Sequence, residues 1–142
     1  MATNERSGIR RLDRGPLKVL TDTHTLVWAL SDPAALGAGA RAALAGSPFT
    51  ASVVNLWELV LKSRKPGMLV ADPLPWWEKY VIGARIPTLA VRTAHIRRLA
   101  VLPEIHKDPF DRILIAQALA EGLTLATKDG IISHYGAPVV WE

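Results

Sequence analysis

Short, uninterrupted apolar segments alternate with longer helical segments along this chain, and this alternation is the feature that most constrains its fold. Strands are predicted for the apolar segments at 17–21, 49–51, 88–91, 123–127 and 139–141. Continuous apolar strands are typical of parallel sheets that are buried on both faces, and the intervening helices supply the cover. The sequence therefore predicts an α/β fold in three layers, with a short, mainly parallel central sheet flanked by helices.

Helices are predicted between these strands, and several of their ends carry residues that are typical of helix caps. Ser52 is predicted to cap one helix, and Gly122 is predicted to end the helix that begins at Asp108. The predicted helical segments span about 25–30, 34–45, 52–64, 73–85, 93–99, 108–121 and 130–135.

One domain is predicted for residues 17–142, because a chain of 142 residues can bury a single core without covalent cross-links. Residues 1–16 contain four arginines and little apolar content, which predicts a flexible, basic N-terminal arm. The chain has no cysteine, which excludes disulfides and thiolate metal sites. It contains neither an apolar run long enough to span a membrane nor an N-terminal secretory pattern, so we expect a cytoplasmic protein.

Acidic residues stand where the predicted strands end and where the predicted helices begin. Asp22 and Asp129 follow strands, Asp108 and Asp111 open one helix, and Glu58 lies inside another. Ligands of parallel α/β sheets bind beyond the carboxyl ends of the strands. We therefore expect these five carboxylates to converge on one site.

Each of these acids also has a purely structural interpretation. The four aspartates could each cap a helix, and Glu58 could form a solvated ion pair with Lys62 one turn away. Two carboxylates about 5 Å apart, at an effective dielectric near 20, repel by roughly 3 kcal/mol. A fold that gathers several of them therefore predicts a cation, and Mg²⁺ or Mn²⁺ is favoured because both prefer oxygen ligands.

The charge balance indicates a polyanionic partner. The chain carries 17 basic and 13 acidic residues, for a net charge of +4. Setting the five converging acids aside leaves 17 basic against 8 acidic residues on the remaining surface. Nucleic acid is the leading candidate for the partner, and the alternative is that this modest charge serves solubility alone.

Four segments of the chain resemble the PIN-domain family, and in particular the VapC-like toxins of bacterial toxin–antitoxin pairs. The segments are LTDTH at 20–24, SVVNLWE at 52–58, HKDPFDRILIAQA at 106–118 and TKD at 127–129. Their order, spacing and flanking apolar residues carry the resemblance, which covers residues 17–142. The resemblance implies a PIN-like nuclease domain that cleaves RNA with the help of Mg²⁺ or Mn²⁺.

The resemblance also assigns roles to individual residues. It implies that Asp22, Glu58, Asp111 and Asp129 are the acidic residues of a catalytic metal site, with Asp108 as an additional nearby acid. Thr127 would support a ligand or a water, as a polar neighbour. The implied partners are an RNA substrate, a cognate antitoxin and a second copy of the chain in a homodimer.

Two alternative functions remain open from the sequence. A haloacid-dehalogenase-like phosphohydrolase also has an aspartate after its first strand, but it needs a second acid two residues later, where this chain has His24. A non-catalytic binding module on the same fold is the other alternative. His24 and His106 are expected to order loops. Trp76 and Trp77 are expected to pack in the core, although one of them could line an antitoxin groove.

Overall fold

Five short strands build the centre of the computed structural model, which describes residues 18–46 and 48–142. The strands are β1 (Val19–Thr21), β2 (Phe49–Ser52), β3 (Thr88–Leu89), β4 (Thr124–Ala126) and β5 (Val139–Val140). They form one sheet in the order β3-β2-β1-β4-β5, and every neighbouring pair is parallel. The predicted parallel α/β fold is confirmed, while the arm predicted for residues 1–16 lies outside the described residues.

The strand order reverses direction between β1 and β4. The chain adds β2 and β3 on one side of β1 and then returns to place β4 on the other side. Thr21 pairs with Ala126 in the register of these two central strands. The residues that follow both strands therefore emerge side by side, at the kind of position where α/β sheets bind ligands.

Within the described residues, six α-helices accompany the strands. They are α1 (Thr23–Ser31), α2 (Ala38–Gly46), α3 (Val53–Lys62), α4 (Pro73–Trp77), α5 (Thr93–Ala100) and α6 (Pro109–Glu121). A π-helical turn, Glu78–Ile82, extends α4, and 3₁₀ turns occupy Pro33–Ala35 and Gly130–Tyr135.

The capping predictions are confirmed, but the start of one helix differs from the prediction. The Ser52 hydroxyl accepts the Val54 amide hydrogen at the start of α3. Gly122 ends α6 with φ at 69°, a left-handed conformation that glycine adopts at little cost. The helix predicted for 34–45 instead begins at Ala38, because Leu36 is extended and separates a 3₁₀ turn from α2.

Apolar side chains on the two faces of the sheet belong to two separate core clusters. Leu20 and Leu125 are paired in the register, and both belong to the cluster that includes Leu114 of α6. Ala51 follows Thr50, the partner of Leu20, and therefore faces the opposite side, with Leu26 of α1. Helices thus cover both faces, which gives the three predicted layers.

The two adjacent tryptophans occupy different environments. Trp77 is buried in the second core cluster together with Val81, as the packing interpretation predicts, so it cannot line an exposed groove. Trp76 is half-buried and stacks on Tyr80. None of the helices in the described part of the chain has the length and apolar character needed to cross a bilayer.

Candidate active site

All five predicted acids line one cleft at the carboxyl edge of the sheet. They reach it from four separate segments: the turn after β1, the middle of α3, the start of α6 and the turn after β4. The cleft has a volume of about 410 Å³. It is lined by Asp22, Thr23, His24, Trp28, Glu58, Lys62, Asp108, Asp111, Lys128 and Asp129.

Asp22 is held between its own helix and the neighbouring strand. One carboxylate oxygen accepts the Thr25 amide hydrogen at 2.9 Å and caps α1. The other accepts the Thr127 hydroxyl at 2.5 Å, and that hydroxyl in turn accepts the Asp129 amide hydrogen at 3.0 Å. Burial raises the pKa of Asp22, and the hydrogen bonds from Thr127 and Thr25 offset part of this rise.

Glu58 is buried, and both of its oxygens have partners. One oxygen accepts the Thr23 hydroxyl at 2.6 Å, and the other lies 2.7 Å from Lys62 Nζ. Asn55 donates to the Thr23 hydroxyl at 3.1 Å and so fixes the donor that orients Glu58. The ion pair with Lys62 therefore forms as predicted, but Glu58 is only 6% exposed and the pair is not a solvated surface bridge.

The two acids at the start of α6 have different environments. Asp108 caps the helix, with one oxygen 2.8 Å from the Phe110 amide nitrogen. Asp111 lies in the first turn of α6 and lines the cleft. Burial, followed by the charges of Asp108 and Asp22, raises the pKa of Asp111 to about 7, although His106 opposes this shift. The raised pKa means that Asp111 binds a proton at a higher pH than an ordinary aspartate does.

His106 lies between two of the acids. Its Nε2 is 2.7 Å from Asp129 Oδ2 and 3.2 Å from Asp111 Oδ2. Its Nδ1 accepts the Asp108 amide hydrogen at 3.1 Å, which leaves the proton of the neutral ring on Nε2. His106 is therefore a donor to the carboxylates in this arrangement, not a nitrogen ligand with a free lone pair.

The donor set fits a hard divalent cation. One possible ligand atom from each of His106, Asp111 and Asp129 lies within 4.8 Å of the other two. Because the His106 nitrogen carries the proton, the oxygens of Asp111 and Asp129, together with nearby Asp22, are the groups that could hold an ion. Burial and the neighbouring charges of Asp108 and Asp22 both disfavour the ionised form of Asp111, and a divalent cation would favour it.

Two lysines bring positive charge to the same cleft. The hydrogen bond that Lys62 donates to Glu58 raises the pKa of Lys62, so this side chain is charged at neutral pH. Lys62 Nζ also lies 3.9 Å from Asp108 Oδ2. Lys128 lines the cleft beside Asp129. The cleft thus combines a central group of acids with cations that can contact a phosphate backbone.

The sequence predicts the five acids in one site but not how His106 and Thr23 support them. His106 orders a loop as expected, through Asp108, and it also contacts two acids of the cleft. For Thr23 the only signal in the sequence is its position next to Asp22, since its hydroxyl reaches Glu58 across 35 positions of the chain. Which acids bind a metal stays a prediction.

Comparison with known proteins identifies the group to which this chain is similar. The sequence model described as PIN domain matches residues 19–138. The chain is 24% identical over 128 residues to Ribonuclease VapC22 of Mycobacterium tuberculosis, and the match covers 87% of this chain and 98% of that protein.

Solved structures with a similar fold include VapBC2 from Rickettsia felis bound to a promoter DNA fragment. It superposes with a TM-score of 0.63 at 12% identity and covers 87% of this chain and 97% of the other. VapBC-5 from Mycobacterium tuberculosis, described as a member of the VapBC family of toxin-antitoxin systems, superposes with a TM-score of 0.54 at 22% identity. That match covers 87% of this chain and 96% of the other. At these identities, the structures establish similarity of fold.

Proposed function

The chain belongs to the PIN domain family, and from this premise we propose that it is a divalent-metal-dependent endoribonuclease, the toxin of a toxin–antitoxin pair. The observation that carries the proposal is the convergence of Asp22, Glu58, Asp111 and Asp129 from four segments onto one cleft. The name of the relative in Mycobacterium tuberculosis supports ribonuclease as the activity.

In this proposal the acids divide into a metal-binding group and a positioning group. Asp22, Asp111 and Asp129 would hold Mg²⁺ or Mn²⁺, and Glu58 would act directly or through a water. Such an ion, when bound, would supply polarisation of the scissile phosphate and activation of a water nucleophile. Asp108 would keep α6 in place, because its carboxylate caps the helix that carries Asp111.

Side chains around the acids would orient the reacting groups. Thr127 holds Asp22 and the Asp129 backbone through one hydroxyl, so it couples the geometry of two ligands. Residues that orient metal ligands in this way typically contribute roughly 10- to 100-fold to affinity or activity. Lys62 and Lys128 would bind phosphates of the substrate on either side of the cleavage point.

The proposed partners follow from the relatives. The similar structure VapBC-5 is described as a member of a family of toxin-antitoxin systems, and on that basis we propose a cognate antitoxin. From the resemblance of the sequence to VapC-like toxins we also propose a homodimer that acts in the cytoplasm. An exposed apolar stripe on α3 is a suitable surface for such a partner. It consists of Val53, Trp57, Val60 and Leu61, each between 40% and 55% exposed.

The alternative functions are less well supported. A haloacid-dehalogenase-like phosphohydrolase belongs to a different family from the one that matches residues 19–138. A non-catalytic module is disfavoured because every predicted acid is present and faces the cleft. Release of inorganic phosphate from small esters, without RNA cleavage, would reverse this preference.

The test is cleavage of total bacterial RNA by the full chain in Mg²⁺, in Mn²⁺ and in EDTA. We expect cleavage with either metal and none with EDTA. Asp111→Asn is expected to lower the cleavage rate by at least about 100-fold, since metal chemistry contributes several kcal/mol to such reactions.

Asp72→Asn is the matched control for this test. Asp72 is an exposed acid outside the cleft whose side chain makes no capping hydrogen bond to α4, so the same chemical change there should leave cleavage intact. Cleavage that continues in EDTA, or that survives in the Asp111→Asn protein, would contradict the proposed mechanism.

A further inference from the structure

We propose that the indole of Trp28 is a stacking platform for an unpaired nucleobase of the RNA, in the same cleft as the acids. This inference rests on the proposed function and deepens it, because it names the side chain that would bind a base of the RNA. It assigns a base-binding role to a residue outside the acidic cluster.

Trp28 forms part of the wall of the acidic cleft. Trp28 lines the same cleft as the acids, and it lies on α1, the helix that Asp22 caps. His24 is one turn earlier on the same face of α1 and also lines the cleft. The two ring centroids are 5.4 Å apart, and the rings are tilted by 58°. One wall of the cleft is therefore aromatic.

The ring of Trp28 is held in place by its neighbours. Besides His24, its ring packs on Trp141, with centroids 5.9 Å apart. The backbone carbonyl of Trp141 accepts the Ala40 amide hydrogen at 2.8 Å. The indole of Trp141 lies so close to Gly37 that a Cβ there would be 2.8 Å from two indole atoms. Trp28 is thus held in place by an anchored neighbour, and a rigid ring loses little entropy when a base stacks on it.

The surroundings of Trp28 select the ligand. Phosphate contacts are available from Lys62 and Lys128, so a nucleotide bound at the acids would bring its neighbouring bases close to the aromatic wall. Bases in an RNA duplex are stacked on each other, whereas unpaired bases are free to stack on protein side chains. Trp28 packs on Trp141, and the part of its indole that lines the cleft is available to an unpaired base.

The experiment compares binding of RNA with and without bases. The parent is the full-length Asp22→Asn protein in Mg²⁺, so that bound RNA is not cut. The probes are a short fluorescein-labelled single-stranded RNA of mixed sequence and a base-free ribose-phosphate chain of the same length. We expect the parent to bind the base-containing strand roughly 10- to 100-fold more tightly, as stacking on one aromatic side chain predicts.

Three further variants of the parent test which side chain causes the preference for the base-containing strand. Trp28→Leu should remove most of the preference for the base-containing strand. Trp28→Phe should retain most of this preference, because a flat aromatic ring remains. Trp76→Leu is the matched control and should not change it. Like Trp28, Trp76 is half-buried and packs on an aromatic neighbour, but it does not line the cleft. An unchanged preference in Trp28→Leu, or an equal loss in Trp76→Leu, would overturn the inference.

RNA cleavage by the wild-type chain separates this inference from the proposed function. If total RNA is cut but Trp28→Leu binds both probes like the parent, the stacking role is wrong and the nuclease function stands. If no RNA is cut while the preference depends on Trp28, the stacking role stands and the nuclease function is wrong.

Discussion

Two histidine–carboxylate pairs in this chain have nearly the same local geometry but very different surroundings. Nε2 lies 2.7 Å from a carboxylate oxygen in both, with His106 facing Asp129 and His95 facing Glu121. In both, Nδ1 accepts a backbone amide hydrogen from a nearby residue, at 3.1 Å and 2.9 Å respectively. The neutral ring therefore carries its proton on Nε2 and donates it to the acid in each pair.

The two pairs differ in the number of acids around each histidine. His95 is completely buried, joins α5 to α6 and faces one acid, with Gln117 as its further polar neighbour. His106 faces Asp129 and Asp111 together, and the charges of Asp108 and other cleft acids raise the pKa of Asp111 further.

This difference shows that the geometry of one pair does not decide its role. A buried histidine that faces one acid, as His95 does, links two helices and has no other acid beside it among the described residues, which fits a structural role. A histidine among several acids leaves excess negative charge, and this excess makes the cleft a candidate for metal binding.

The largest expected difference between the two pairs is in catalysis. Asp129→Asn should lower the rate of RNA cleavage by at least about 100-fold, because it removes a charge from the proposed metal site. Glu121→Gln should leave the rate unchanged, since Glu121 ends α6 while the cleft lies at the start of that helix. Initial cleavage rates in saturating Mg²⁺ measure both. If both variants lost cleavage rate equally, the two histidine–carboxylate pairs would not differ in catalysis as expected.

The second difference concerns stability and its rescue by metal. His95→Ala should lower the free energy of unfolding by about 2–4 kcal/mol, because it opens a cavity and leaves buried polar groups without partners. His106→Ala should cost about 1–2 kcal/mol in metal-free buffer. Saturating Mn²⁺ should reduce the difference in unfolding free energy between His106→Ala and wild type, because the bound ion replaces the lost donor. It should leave the corresponding difference for His95→Ala unchanged.

Urea unfolding of both variants and of wild type, with and without Mn²⁺, measures these differences in unfolding free energy. If Mn²⁺ reduces the difference from wild type equally in the His95→Ala protein, the effect of the ion does not depend on the donor lost from His106. In that case the two histidines would not differ in the way proposed.

The smallest expected difference is in the pH dependence of stability. The pKa of Asp111 is about 7 in the folded chain against 3.8 as its ordinary value, so the folded state binds more protons between these two pH values. The metal-free protein should therefore gain stability as the pH falls from about 7 towards about 5, by at most about 1.4 kcal/mol per pH unit for this group.

Urea unfolding across this pH range tests the prediction. Asp111→Asn should make the unfolding free energy less dependent on pH, because it removes the group that takes up the proton. Glu121→Gln should show the same pH dependence as wild type. The burial that raises the pKa of Asp22 contributes in the same direction. A metal-free protein that loses stability as the pH falls through this range would contradict the expected sign.

Much of the fold could be predicted because its signals are local. Asp108 followed by Pro109 predicts a helix start, and Ser52 and Gly122 predict a start and an end, since capping depends on residues within a few positions. The predicted strands agree with the structure apart from small shifts at their boundaries. The start of α2 could not be predicted because the extended conformation of Leu36 has no clear local signal.

The contacts within the candidate site could not be predicted in the same way. Thr127 and Asp22 are 105 positions apart, and His106 and Asp129 are 23 apart, yet both pairs are in hydrogen-bond contact. The adjacent Trp76 and Trp77 illustrate the same limit, because only the packing of α4 shows which of them is buried.

By itself, the sequence determined the order of strands and helices and the positions of the acids at their ends. Those properties depend on apolar periodicity and on capping, which act over a few neighbouring residues. The tertiary structure decided which donors contact which acids, which histidine faces excess charge and which tryptophan lines the cleft. Burial and distance control hydrogen bonds and pKa values, and both are set only when distant segments pack together.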